Sequence, residues 1–262
     1  MRCTQPLLVP GFWKRSLSEF YRYSNLALKL ETLSVPGKPY QLIEFSEPDS
    51  VEMCKRMSDA DHGGFSSANL DFVPASSDEP KHARFHGRIS TQLPPDRPEI
   101  QRTGYAGWRT HDRGFTLFGK SVWDIDPYSF LALRVKSDGR AYFVNIQTES
   151  VIPTDLHQHR LYSRTPGKWE TILIRFDDFV RTNHGLVVEP QSEMLRQKVL
   201  SVGLSLTDRI PGPYELCIEG MWATNNLKDG NKLSMRPGTT LEAEAKEKEM
   251  EDKAKEPEKI LI

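Results

Sequence analysis

Three pairs of carboxylates stand close together in this chain: Asp59 with Asp61, Asp124 with Asp126, and Asp177 with Asp178. Paired acids can cleave a glycosidic bond, but only when the two carboxyl groups oppose each other across a cleft at about 5–9.5 Å. Neighbours in sequence do not meet that condition. Asp124-Ile125-Asp126-Pro127 and Asp177-Asp178 read instead as turn and capping residues that bond the local backbone. Seven histidines raise metal binding. His157 and His159 sit at i, i+2 and share one face of a strand. His82 with His86, and His62 beside Asp59 and Asp61, are further candidates. A zinc site needs three or four ligands, and no third ligand stands at a set distance from His157 and His159. These histidines are expected on the surface or in a groove, with no metal and no other cofactor.

Nucleophilic chemistry finds no support either. The chain has no GxSxG elbow, no GxGxxG and no Walker loop. Cys3, Cys54 and Cys217 are scattered, without a CxxC pair, so a disulfide framework or zinc ribbon is not expected. Cys54 and Cys217 are expected to be buried thiols in strands. His62-Gly63-Gly64-Phe65-Ser66 reads as a turn that uses positive φ, because no following helix is visible to help hold a phosphate.

The elements that would position any site are mostly strands. YQLIEFS, FSSANLDFV, ARFHGRIS, TGYAGWRT, WETILIRF, VLSVGLSLT and YELCIEGMW are short runs separated by Gly, Pro, Asp and Asn. That spacing predicts an all-β protein, an antiparallel sandwich or barrel. The segment Ser129–Gln147 reads as a β-hairpin about Asp138-Gly139, a type I′ turn pair. Its register sets Val135 against Tyr142, Leu133 against Val144 and Leu131 against Ile146, all on a core face. On YELCIEGMW, alternation places Leu216, Ile218, Gly220 and Trp222 on one face and Glu215, Cys217, Glu219 and Met221 on the other. If the last two strands join the hairpin's sheet, Arg134, Asn145, Gln147, Ser201, Ser205, Glu215 and Glu219 share one polar face. Such a face suits a sugar, a loop or a partner strand, or is simply solvated. FDDFV at 176–180 and SEMLRQKV at 192–199 predict at most a turn or two of helix.

The 262 residues carry a formal net charge of −1, so no global field favours nucleic acid. No apolar run approaches the ~20 residues that span a bilayer. Three parts are expected. Residues 1–39 form a basic segment with helical spacing from Phe12 to Leu28, in which Trp13, Leu17 and Phe20 share a stripe with Ser24 and Leu28. With Lys14 and Arg15 it is a candidate membrane or client contact; a targeting segment and packing on the folded domain are the other readings. Residues 40–227 form the β domain. Residues 228–262 form a charged tail, helical or disordered, with eight acids and five bases between positions 242 and 259.

Several ordered runs carry a resemblance. Met57-Ser58-Asp59-Ala60-Asp61-His62-Gly63-Gly64-Phe65-Ser66, Ala83–Ser90, Gly104-Tyr105-Ala106-Gly107-Trp108-Arg109-Thr110, Trp123-Asp124-Ile125, Lys136-Ser137-Asp138-Gly139-Arg140, Gly167-Lys168-Trp169-Glu170, Phe176-Asp177-Asp178-Phe179, Ser201-Val202-Gly203-Leu204 and Gly212-Pro213-Tyr214 occur in series over about residues 40–225. Together they resemble the mitochondrial complex I intermediate-associated protein family. The resemblance implies a galactose-binding-like jelly-roll sandwich. It also implies a non-catalytic assembly factor of respiratory NADH:ubiquinone oxidoreductase, on the matrix side of the mitochondrial inner membrane. Its partners would be early membrane-arm subunits and other assembly factors. A carbohydrate-binding module is the competing reading from the residues alone; Phe130, Phe143 and Tyr142 are the aromatics near its polar face.

Overall fold

The structure is a computed structural model and describes residues 11–29, 38–229 and 232–233. The expected targeting residues before Gly11 and the charged run 242–259 lie outside the described residues. So do most of residues 30–39, where the helix was expected to break.

Two short helices and sixteen strands occur among the described residues. Helix α1 is Phe12–Lys29 and α2 is Asp49–Glu52. The strands are β1 Tyr40–Glu44, β2 Cys54–Ser58, β3 Ser67–Val73, β4 His82–Ile89, β5 Ala106–Thr110, β6 Phe115–Thr116, β7 Gly119–Lys120 and β8 Phe130–Ser137. They continue as β9 Tyr142–Thr148, β10 Asp155–Arg160, β11 Trp169–Arg175, β12 Val180–Asn183, β13 Leu186–Val187, β14 Val199–Leu206, β15 Gly212–Thr224 and β16 Lys232–Leu233. Sheet A runs β16-β11-β8-β15-β4-β3, with β1 also paired to β15; sheet B runs β13-β12-β10-β9-β14-β5-β2. The two expected helical stretches are single 3₁₀ turns, Phe176–Asp178 and Arg196–Lys198. Side chains from the inner faces of both sheets form the core, as expected where two antiparallel sheets each bury one alternating set.

The segment Ser129–Gln147 is not a hairpin. β8 pairs with β11 and β15, whereas β9 pairs with β10 and β14. The chain crosses from sheet A to sheet B at residues 138–141. Leu131, Leu133 and Val135 then meet Tyr142, Val144 and Ile146 across the core, and all six are fully buried. The turn chemistry explains the difference. A type I′ turn needs positive φ at both central residues, but only Gly139 has it, at +90°. The Asp138 carboxylate instead accepts the Glu215 N–H at 2.8 Å and the Arg140 N–H at 2.9 Å. Gly167 N–H donates to Ser137 O at 2.8 Å, so the end of β8 is held by sheet A neighbours.

A second correction follows from a β-bulge. The β15–β8 register shifts between Ile218 and Gly220. One inserted residue reverses the alternation beyond it. Met221 and Ala223 are therefore fully buried in the core, and Trp222 turns outward with Phe130 onto Ala132 and Leu173. The close approach of β14 to β5 demands Gly203: a Cβ there would lie 2.1 Å from Trp108 O.

Candidate functional site

The outer face of sheet B carries a groove of about 660 Å³. Phe143 of β9, Gln158 and Arg160 of β10 and Val180 and Thr182 of β12 line it, with Thr207 just past β14; the polar bonds next to it run across the same strands. Asn145 Nδ2 donates to Ser205 Oγ at 2.9 Å, Gln158 Nε2 donates to Asn145 Oδ1 at 2.7 Å, and Thr182 Oγ1 donates to Gln158 Oε1 at 2.8 Å. A ladder of amides and hydroxyls thus crosses four strands. Beside it, Ser201 Oγ donates to Gln147 Oε1 at 3.0 Å and Gln147 Nε2 to Pro153 O at 2.8 Å. Phe143 and Tyr105 add aromatic surface to the groove.

One wall of the groove, Arg102–Tyr105, is positioned from below by a buried carboxylate. Asp59 is 8% exposed. Its Oδ1 accepts Ser66 N–H at 2.7 Å. Its Oδ2 accepts Ser66 Oγ–H at 2.8 Å, Gly104 N–H at 2.5 Å and Tyr105 N–H at 3.3 Å. Gly64 permits this: a Cβ there would lie 2.5 Å from the Asp59 carboxyl carbon. The Asp59–Ser66 run is a scaffold for the wall, with Gly63 as its left-handed turn at φ +97°. Asp61 does not pair with Asp59; its Oδ2 accepts Ser58 N–H at 3.3 Å.

Of the other paired acids, Asp124 makes the local turn bond that was expected, whereas Asp177 and Asp178 face arginine side chains and cap no backbone among the described residues. Asp124 Oδ1 accepts Asp126 N–H at 3.2 Å. Asp178 pairs with Arg175 at 3.1 Å, and Asp177 lies 3.8 Å from Arg196. The histidines of β10 differ from expectation. His157 and His159 share a face, but it is the inner one, and both are buried; His159 also borders the groove. Burial, then the nearby Arg181, holds the His157 pKa below its usual value. Among the described residues no group of three His, Cys, Asp or Glu side chains converges on a metal position. Cys54 and Cys217 are buried, and burial pushes their thiols up to about 12 and about 11. Neither is a ready nucleophile, since the thiolate is the reactive form.

The seven residues expected on one polar face divide between the two sheets. Asn145, Gln147, Ser201 and Ser205 lie on the outer face of sheet B. Arg134, Glu215 and Glu219 lie on the outer face of sheet A, on the opposite side of the sandwich. Because β8 and β9 belong to different sheets, no single surface can hold all seven. On sheet A, Arg134 Nε bonds Glu219 at 2.7 Å, Glu215 pairs with Arg84, and His86 meets Asp71 at 2.7 Å. Arg134 stands next to a small cluster in which Phe130 and Trp222 pack on the buried Ala132 and Leu173; the other two pairs lie further along β15, β4 and β3.

The N-terminal candidates sit on α1, which forms where the spacing predicted it. The helix packs on the β6–β7 hairpin. Arg15 donates to Phe115 O at 3.1 Å, Ser16 Oγ accepts Leu117 N–H at 3.0 Å, and Tyr23 meets the Phe118 ring at 5.6 Å. Arg15 therefore faces the domain. Trp13, Leu17 and Phe20 are exposed at 75%, 54% and 53%, and Lys14 is exposed beside them. Phe115 and Leu117 on the hairpin are exposed at 62% each. No sequence pattern marked this hairpin: its two strands are two residues each, too short for alternation to show.

The family profile for Complex I intermediate-associated protein 30 matches residues 43–218. A Neurospora crassa protein named "Complex I intermediate-associated protein 30, mitochondrial" is 54% identical over 247 residues, covering 87% of this chain and 89% of that protein. A Drosophila melanogaster protein of the same name is 30% identical over 190 residues, covering 70% of this chain and 62% of its own length. Among solved structures, the family 11 carbohydrate-binding module of a Clostridium thermocellum cellulosomal cellulase superposes with a TM-score of 0.50. It is 14% identical and covers 76% of this chain and 98% of the module. That likeness shows the jelly-roll sandwich alone. The profile and the aligned relatives cover most of the sandwich, and the chain belongs to the Complex I intermediate-associated protein 30 family.

Proposed function

We propose that this chain is an assembly factor that holds partly built membrane-arm intermediates of respiratory complex I, on the matrix side of the mitochondrial inner membrane. The carrying observation is its family membership. Mitochondrial placement is supported by the relatives, whose names say mitochondrial. The geometry supports binding rather than catalysis. Asp178 is the carboxylate that borders the groove, and it is engaged by Arg175. Both described thiols are held protonated by burial.

Two outward surfaces fit protein or membrane contact. On sheet A, the partly buried rings of Phe130 and Trp222 stand beside the Arg134–Glu219 pair, an apolar spot with a polar margin of the kind protein interfaces use. On α1, the exposed aromatic face gives a second point of attachment, whose effective concentration strengthens a weak first contact. The test is affinity purification of the tagged chain from solubilised mitochondrial membranes, read by proteomics. Membrane-arm subunits and other assembly factors should co-purify. Arg134→Ala should reduce that capture and Asn145→Ala, on the opposite sheet, should not. Absence of membrane-arm subunits would end the reading. A carbohydrate-binding module is the second reading, favoured by the groove's aromatics and amides; a glycan array without hits removes it.

A further inference from the structure

The groove on sheet B has an electrostatic feature that protein docking on sheet A leaves unused. Seven arginines of the sandwich, Arg84, Arg109, Arg134, Arg140, Arg175, Arg181 and Arg196, each reach a carboxylate. Arg102, Arg160 and Arg209, like Arg56, Arg88, Arg97 and Arg113 elsewhere, reach no carboxylate among the described residues; what sets these three apart is that all of them border the groove. They gather at one end of it. Phe143 pairs with both Arg160 and Ser205, β14 ends at Leu206 just before Arg209, and Leu206 pairs with Ala106 just after the Arg102–Tyr105 wall. Asp178, which could have neutralised this end, is paired with Arg175 instead.

Arg209, at this end, is held at φ +56°, and His184, in the β12–β13 turn at the other end of β12, at φ +48°; both border the groove. These are the non-glycine residues with positive φ among the described residues. L side chains rarely adopt that conformation, and it clusters at binding sites. Gly104 leaves room for Arg209: a Cβ at position 104 would lie 3.4 Å from Arg209 Cγ. The Arg160 guanidinium sits over the Tyr162 ring at 5.3 Å, which orients it.

We infer that this groove binds a phosphate ester with a hydroxyl-bearing body. Guanidinium groups match phosphate oxygens in pairs, and three without a partner can take a dianion. Gln158 and Thr182 on the lining offer an amide and a hydroxyl for the body, and Phe143 and Tyr105 offer flat apolar surface. A volume of about 660 Å³ lies within the 300–1,000 Å³ of ordinary small-molecule sites. A neutral glycan would leave all three cations unmatched. Phosphate ester chemistry is shared by soluble sugar phosphates and by phospholipid headgroups.

The experiment uses the full chain, with glucose 6-phosphate in calorimetry and with phosphatidylcholine vesicles with or without phosphatidylglycerol in flotation. Saturable binding of glucose 6-phosphate assigns a soluble ligand. Binding that requires phosphatidylglycerol assigns a headgroup. Either result supports the site if Arg160→Gln with Arg209→Gln weakens it at least tenfold while Arg56→Gln, an exposed arginine outside the groove, does not. Binding of neither probe overturns the proposal. So does equal loss in the Arg56→Gln control, or tighter binding of an uncharged oligosaccharide. Circular dichroism of each variant confirms folding, which these exposed positions should preserve. The outcome is separable from the assembly role, which is read by co-purification of membrane-arm subunits.

Discussion

Asp59 shows what the run Asp59–Ser66 is for. Its carboxylate collects four donors from three residues: two from Ser66, one from Gly104 and one from Tyr105. It thereby ties the entry loop of β3 to the wall of the groove. Leaving a buried donor without a partner costs about 1–3 kcal/mol. Asp59→Ala should therefore lower stability by roughly 3 kcal/mol or more, read from the urea midpoint, and should loosen the wall. Asp61→Ala touches one exposed bond and should cost about 0.5 kcal/mol or less. Equal effects would show that Asp59 is not the organising residue. The types in this run were legible as a turn, but the use of Asp59 was not. Its partners Gly104 and Tyr105 lie more than forty positions away, and no local pattern encodes that distance.

Strand β10 couples the sandwich to pH. Asp155, inward and buried, has its pKa lowered first by the Asn183 amide at 2.7 Å and then by Arg181 at 2.6 Å. A carboxylate depressed in the folded state contributes stability above its unfolded pKa of about 3.9, and loses it as pH falls through the folded value. His157 is depressed by burial. The unfolded chain takes up its proton first, near about pH 6.5, so stability falls as pH drops below that value. Urea midpoints should thus decline in two stages, below about 6.5 and again below about 4. His157→Gln should flatten the first stage and Asp155→Asn the second. A flat profile between pH 7 and 5 in the unsubstituted protein would contradict the buried placement of His157. The i, i+2 spacing gave the shared face of His157 and His159, but which sheet face is inner depends on the neighbours, β9 and β12.

At the scale of the whole molecule, the sandwich separates its surfaces. Sheet B carries the groove, sheet A carries ion pairs with Phe130 and Trp222 partly exposed beside one of them, and α1 with the β6–β7 hairpin carries exposed aromatics. Trp13, Leu17 and Phe20 point away from the contacts that Arg15, Ser16 and Tyr23 make. Replacing all three with Ser should leave the thermal midpoint nearly unchanged, because exposed positions contribute little. The same variant should lower the membrane-associated fraction of the protein in carbonate-free fractionation severalfold. Unchanged association would show that α1 is not the attachment point. Interfacial helices bind through exposed aromatic and aliphatic area, so the loss should grow with the number of substitutions.

The sequence by itself determined the strand content, the N-terminal helix, the six core residues around Asp138-Gly139 and the family. Each of these is local alternation, helical periodicity or ordered short runs, all readable along one chain. Tertiary structure alone decided how the strands are shared between sheets. Two strands joined by a short connection bury the same side chains whether they lie beside each other or across a core, so alternation cannot separate a hairpin from a crossing. The decision fell to Asp138, which spends its carboxylate on Glu215 of β15, and to the bulge between Ile218 and Gly220, which reverses the faces of β15. These long-range bonds divided the expected polar face in two, and brought Arg102, Arg160 and Arg209 to one end of a groove.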